Sequence, residues 1–281
     1  MYIRFGDNDV VTRQAQELVT STWSNNANNI ATYYTSSKTT FTTATSSGHF
    51  FIEVLNGDQT GSTSETQYYL SYGHRLGSGS PDFTHDTGSF GVGASRAIYN
   101  QYRQLHYNDD VTNFTFGTDT PEDIFVLNIA RARYKQRLTL GSLNLHIQAT
   151  TNGIPSQSQQ TIHLTDDSVT NPAGAGTSNL GTYYNVVSGA NGVVLAGTTA
   201  TTQVKNSSSY GHIYPEAGII ILNASAFSQS LMSEGGGYAP TAMPSASFSN
   251  AGNSDQNQTQ MFKSISESGN FIVDSTEEIN S

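Results

Sequence analysis

Ile124-Phe125-Val126-Leu127-Asn128-Ile129 is a short, continuous run of β-favouring residues, and Ile219-Ile220-Ile221-Leu222 is a second one. Runs of this length bounded by turn residues read as strands. The second run follows Ile213-Tyr214 and the turn Pro215-Glu216-Ala217-Gly218, which together predict a hairpin. After the first run, Arg131, Arg133, Lys135 and Arg137 alternate along the chain. Gly141-Ser142 then interrupts it, and Leu143, Leu145 and Ile147 alternate beyond. The pattern predicts a long strand, a turn and a returning strand.

Working outward, residues 183–187 and 193–196 flank Asn191-Gly192, a strong hairpin signal. Residues 49–54 and 66–72 read as two strands of another hairpin with a longer connection that starts at Asn56-Gly57-Asp58. Residues 157–164 suggest a short strand, Asp166-Asp167-Ser168 a turn, and residues 171–179 a loop. A helix is expected over residues 94–107, starting near Ser95, stopped by Asn108-Asp109-Asp110, with Ile98, Tyr102 and Leu105 on its apolar side. Residues 9–23 mix two periods, helical spacing of Val10, Val11, Ala15, Leu18 and Val19 against a strand-like end, and the helix is favoured. Residues 262–265 and 271–273 around Ser268-Gly269-Asn270 predict a closing hairpin.

The expected fold is therefore mainly β: hairpin-rich antiparallel sheets or a sandwich with one or two short helices. The expected organisation is a β-rich part at residues 1–115 containing the helix, a central β domain at 120–225, an extended loop or arm at 226–260 and a C-terminal hairpin segment at 261–281. The arm has little apolar rhythm, and a loop of that length commonly serves an interface.

Composition narrows the function. Hydrophobic residues make up 35% and charged residues 12%, below the usual globular shares of about 45–50% and about 25%. The 15 Tyr and 13 Phe nevertheless supply the apolar area that disordered chains lack. A formal net charge of −10 gives no overall attraction to nucleic acid or an anionic membrane surface. The absence of cysteine removes disulfides, thiolate metal sites and a Cys nucleophile. Apolar runs fall far short of the roughly 20 residues of a membrane helix, so no membrane insertion is expected. The first nine residues lack the pattern of a secretory signal.

Candidate chemistry is sparse. His74, Asp82, His85 and Asp86 carry metal-ligand atoms but match no known metal spacing. Asp166-Asp167, with Glu216 or His163, contains the groups a glycosidase would use. Neighbouring strand residues point to opposite faces, however, and a capped turn explains the pair better. Gly88-Ser89-Phe90-Gly91-Val92-Gly93 lacks the Walker lysine and the full glycine fingerprint. No catalytic, cofactor-binding or metal residue is assigned, and no cofactor is expected. The basic ladder Arg131, Arg133, Lys135 and Arg137, placed on one face of a strand, is the candidate interface, suited to an acidic neighbouring subunit.

The run Thr120-Pro121-Glu122-Asp123-Ile124-Phe125-Val126-Leu127-Asn128-Ile129-Ala130-Arg131-Ala132-Arg133-Tyr134-Lys135-Gln136-Arg137-Leu138, followed by Gly141-Ser142-Leu143-Asn144-Leu145, resembles virion structural proteins of T-even-like contractile-tailed phages that infect cyanobacteria. Tyr210-Gly211-His212-Ile213-Tyr214-Pro215-Glu216-Ala217-Gly218-Ile219-Ile220-Ile221-Leu222-Asn223 is similar to a second stretch of those proteins. The likeness covers roughly residues 120–225 and includes no catalytic motif. It implies a copy-rich tail or baseplate subunit, assembled in the host cytoplasm into the virion as a homo- or hetero-oligomer with other virion structural proteins. It also implies that relatives continue in β-rich sequence past the position of Ser281. The competing expectations are a receptor- or glycan-binding tail protein and a virion-associated polysaccharide hydrolase.

Overall fold

The computed structural model describes residues 15–30, 32–35, 51–57, 62–77, 94–148, 161–195, 209–230 and 256–280. The chain is mainly β, as expected. In order, the elements are β1 (Ala15–Ser21), β2 (Tyr34–Thr35), β3 (Phe51–Leu55), β4 (Thr66–His74), α1 (Ala94–Tyr107), β5 (Asp123–Ile129), β6 (Arg137–Leu138) and β7 (Asn144–Gln148). They continue with β8 (Thr161–Asp166), β9 (Gly176–Ser178), β10 (Gly181–Ala190), β11 (Val193–Val194), β12 (Gly211–Tyr214) and β13 (Ile219–Asn223). Last come α2 (Ala224–Ser230), α3 (Gln256–Ser268), β14 (Phe271–Ile272) and β15 (Asp274–Asn280).

A curled antiparallel sheet of 12 strands runs β14-β7-β8-β10-β12-β13-β5-β4-β3-β2, with β9 and β11 also paired to β10. A separate sheet of three strands has the order β1-β15-β6.

The two apolar runs that decide the fold lie side by side at the middle of the large sheet, Ile219 opposite Asn128 and Leu222 opposite Phe125. Because successive strand residues face opposite ways, a run apolar at every position needs cover on both faces. Both covers exist. Phe125, Leu127, Ile129, Ile220 and Leu222 enter the larger core with Trp23, Phe227, Met261, Ile265 and Phe271. Ile124, Val126, Ile219 and Ile221 face the second core, formed with Tyr99, Tyr102, Phe114, Phe116 and Tyr214.

Three of the expected hairpin features form through local chemistry. β10 turns into β11 at Asn191 and Gly192, whose φ values of 51° and 73° are those of the tight turn that Asn-Gly favours. β12 pairs with β13 across Pro215 to Gly218, and β3 pairs with β4. α1 occupies the expected residues and ends where Asn108 turns to φ 61°.

The buried side of α1 is rotated from the expected stripe: Tyr99, Tyr102, Arg103 and His106 are buried, whereas Leu105 is 37% exposed. Gly73 of β4 sets this seat, since a Cβ there would lie 2.9 Å from the backbone nitrogen of Tyr99. Gly73→Ala should therefore cost about 1–3 kcal/mol by forcing the helix off the sheet. Denaturant unfolding of the variant would show it. A midpoint equal to that of the parent chain would mean that the helix does not depend on this contact.

Four expectations are corrected. Residues 15–21 form β1 rather than a helix, because all seven pair with β15, and Leu18 and Val19 stay in solvent where no helical face would be buried. β5 and β7 are not partners, since β8, β10, β12 and β13 lie between them. The closing hairpin is instead α3 followed by β14: Met261 and Ile265, four apart, enter the core, and Gly269 at φ 63° ends the helix. The boundary expected between residues 115 and 120 is crossed by the sheet, because β4 pairs with β5 from Tyr68–Ile129 to His74–Asp123. Of the expected arm at 226–260, α2 and the first turn of α3 are seen, and residues 231–255 lie outside the described residues.

The ends of the described chain are tied together in the larger core. Trp23 donates its indole N–H to the carbonyl of Phe271 at 2.6 Å and packs edge-on against the Phe271 ring. Asn29 Oδ1 accepts from the Phe271 amide at 2.9 Å.

Candidate interaction surface

The small sheet exposes apolar strand residues to solvent, as does β11, where Val193 is 67% exposed. β1 pairs with β15 along its length and is the outer strand of that sheet among the described residues. Leu18 is 45%, Val19 48% and Ile279 44% exposed. Gln16 lies opposite Ile279 and Leu18 opposite Glu277, so Leu18 and Ile279 are diagonal neighbours on one face, while Val19 opens onto the other. Such an outer strand offers unpaired backbone donors and acceptors beside apolar side chains.

Glu17 and Glu278 sit directly opposite each other, an unfavourable like-charge pair. Arg137 relieves it by donating from Nη2 to Glu17 Oε1 at 2.9 Å.

The basic residues next to this sheet do not form the expected ladder. β5 ends at Ile129, the Ala130 amide donates to the Gln67 carbonyl at 3.0 Å, and Arg131–Arg133 close a 3-10 turn with the Arg133 amide on the Ala130 carbonyl at 2.8 Å. The two-residue period is therefore broken before any common face can form. Arg131 folds back on Tyr134, with its guanidinium carbon 4.7 Å from the ring centroid and Nη1 donating to the Tyr134 carbonyl at 2.6 Å. Arg133 donates to Glu65 at 2.8 Å and also to Ser24. The hydrogen bonds from Ser24 and Arg133 hold the Glu65 carboxyl below its ordinary range.

Arg133 and Arg137 thus clamp parts of their own chain together. Lys135, whose amide donates to Ser275 Oγ at 2.7 Å, and Arg131 remain exposed without a carboxylate partner among the described residues.

The acidic candidates are held as turn caps. Asp166, 1% exposed, accepts from the amides of Gly141 at 2.7 Å and Leu143 at 3.2 Å, and from the Ser168 hydroxyl. Asp167 accepts from the Asn185 amide at 2.9 Å and its side-chain Nδ2 at 3.0 Å. Glu216 lies in the turn between β12 and β13, and His163 stands on β8 against His146.

His74, at the buried end of β4, accepts from the Leu76 amide through Nδ1 at 3.0 Å and lies 4.0 Å from Glu122. Burial lowers its pKa. Asp82, His85, Asp86 and the Gly88–Gly93 loop lie outside the described residues. Among the described residues no group of three His, Asp or Glu is placed to hold a metal ion.

Two histidine arrangements escaped sequence reading. Between α1 and the large sheet, His106 Nδ1 shares a 2.8 Å hydrogen bond with the Tyr214 hydroxyl and stacks 5.9 Å from His212. Tyr183 and Phe116 pack on His212 at 4.5 and 4.7 Å. Burial pushes His106 down to about 4, and burial together with His106 pushes His212 down to about 3. The second arrangement is the stack of His146 on His163. His146, His163 and His212 each interrupt an apolar strand pattern and His106 lies on α1, which was the available signal, but only strand pairing and the seat of the helix bring the rings together.

Set against protein families, curated proteins and solved structures, the chain matches none of them.

Proposed function

We propose that this chain is a structural subunit of a tailed-phage virion, in the tail or baseplate, which acts by docking onto neighbouring subunits. The observation that carries the reading is the outer edge of β1, with Leu18, Val19 and Ile279 in solvent on a narrow ribbon. An added strand would satisfy its backbone groups and remove that apolar surface from water. Exposed Arg131 and Lys135, on the segment next to this sheet, give an acidic neighbour two charged contacts.

The resemblance of residues 120–145 and 210–223 to virion structural proteins supports the same assignment. The hydrolase alternative draws no support from Asp166 and Asp167, whose oxygens accept hydrogen bonds from the surrounding turns.

The test is sedimentation of the purified chain over a range of concentrations, together with a search for it in purified particles. Reversible association is expected, weakened at least tenfold by Leu18→Lys with Ile279→Lys. The unfolding midpoint should barely move, because both sites are on the surface. A chain that stays monomeric at every concentration and is missing from particles would end the proposal.

A further inference from the structure

β7 and β8 place one imidazole on each of two hydrogen-bonded strands. His146 and His163 are direct cross-strand partners, flanked in register by Leu145–Leu164 and Ile147–Ile162. Those four apolar neighbours point into the larger core, so the two histidines stand together on the opposite face. Both are half-buried, their ring centroids are 3.9 Å apart, and their planes differ by 11°.

A charged His146 imidazole in this half-buried position would lose hydration and lie against the His163 ring. Burial and the neighbouring His163 accordingly push His146 down to about 4. Both strands are paired on their far sides as well, β7 with β14 and β8 with β10, so the separation of the two backbones at His146 and His163 is set by a continuous ladder. The Ser268 hydroxyl on the His146 carbonyl, at 2.8 Å, and the His146 amide on the Asn270 carbonyl, at 2.9 Å, fasten the local backbone further.

We infer that His146 and His163 form a two-histidine site for a divalent transition-metal ion such as Zn2+, Ni2+ or Cu2+, with water completing the coordination. Neutral imidazole nitrogen is the donor these ions prefer. A tetrahedral ion with bonds of about 2.0–2.1 Å joins nitrogens roughly 3.4 Å apart. The stacked rings, their planes 11° apart, direct their in-plane nitrogen lone pairs alongside one another, so each ring must rotate about its side-chain torsions for both to point at one ion, a rearrangement that direct cross-strand placement allows. Hard ions such as Mg2+ and Ca2+, which take oxygen ligands, should not bind here. The site does not depend on the assembly proposed above, since both ligands come from one chain.

Calorimetric titration of the full chain with Zn2+, and separately with Mg2+, tests the inference. One equivalent of Zn2+ should bind to this site with no matching Mg2+ event. His146→Gln or His163→Gln should each weaken that binding at least tenfold, and the double change should remove it. Folding of the variants is checked by circular dichroism.

NMR of labelled histidine side chains in the unaltered protein provides a measurement that needs no variant. The His146 and His163 signals should move together on addition of Zn2+, while those of His106 and His212 stay still. Equal Zn2+ affinity in the parent and the double variant, or an unmoved His146–His163 pair at saturating Zn2+, would overturn the site.

Discussion

Asp166→Ala is expected to lower the unfolding free energy by about 3–5 kcal/mol, from the buried donors it strands. The carboxylate is the acceptor for the Gly141 and Leu143 amides in the turn that leads into β7, and for the Ser168 hydroxyl in its own turn. An unsatisfied buried donor costs about 1–3 kcal/mol, and three lose their partner at once. Asp166→Asn retains one acceptor oxygen but turns an amide N–H2 toward other donors, so it should fall between the two. Asp167→Ala loses its bonds to the single residue Asn185 and should cost about 1–3 kcal/mol.

Urea unfolding with an unchanged denaturant slope is the measurement. An Asp166→Ala chain as stable as the parent would contradict the capping role. It would also reopen a chemical role for the pair, especially if polysaccharide cleavage disappeared with the same change.

The second large effect is a loss of stability on acidification. His106 and His212 have folded pKa values of about 4 and about 3, below the ordinary histidine value of about 6.5. Between those limits the unfolded chain binds more protons than the folded one. Their contribution is therefore whole above about pH 6.5 and is lost as pH falls toward the folded values. At pH 4.5 the His212 share alone comes to about 2–3 kcal/mol. Two further imidazoles, His74 and His146, shift in the same direction through burial.

Asp123 works the other way. Its carboxyl is buried and raised to about 6, so it favours the folded state at low pH and loses that contribution as pH rises through 6. The groups packed on the His106–His212 pair are Tyr107 on α1, Tyr183 on β10 and Tyr214 on β12, with Phe114 and Phe116 closing the side. No described carboxylate forms an ion pair with either ring.

His212→Phe separates these contributions. His212 Nδ1 has no hydrogen-bond partner in its buried position, so an aromatic ring without nitrogen should leave stability at pH 7 within about 1 kcal/mol. The same variant should lose about 2–3 kcal/mol less than the parent between pH 7 and 4.5. Parallel pH profiles for the two chains would show that His212 is not the group responsible.

The legible parts of this protein are those where neighbouring residues settle the outcome. Asn191-Gly192 can adopt positive φ at both positions, so its hairpin was readable, as was the turn at Pro215 to Gly218. β5 and β13 announced themselves as strands through the near-continuous apolar runs Ile124–Leu127 and Ile219–Leu222. Misreadings arose where the partner was distant. Leu18 and Val19 suit a helix by spacing, yet seven pairings with a strand some 260 residues away decide their state. The basic residues alternate in sequence, but a 3-10 turn between Ile129 and Tyr134 sends their side chains to Tyr134, Glu65 and Glu17 separately.

The amino-acid order by itself determined that the chain would be mainly antiparallel β, where its tight turns and its 14-residue helix would fall, and that its central strands would need apolar cover on both faces. Tertiary structure alone decided the strand order, the outer place of β1 among the described strands of the small sheet, the seat of α1 on Gly73 and the meeting of His146 with His163. The physical reason is that turn and helix preferences act over a few residues, whereas strand pairing joins segments at any separation. Loop closure penalises that separation only slowly, so nearness along the chain does not select the partner.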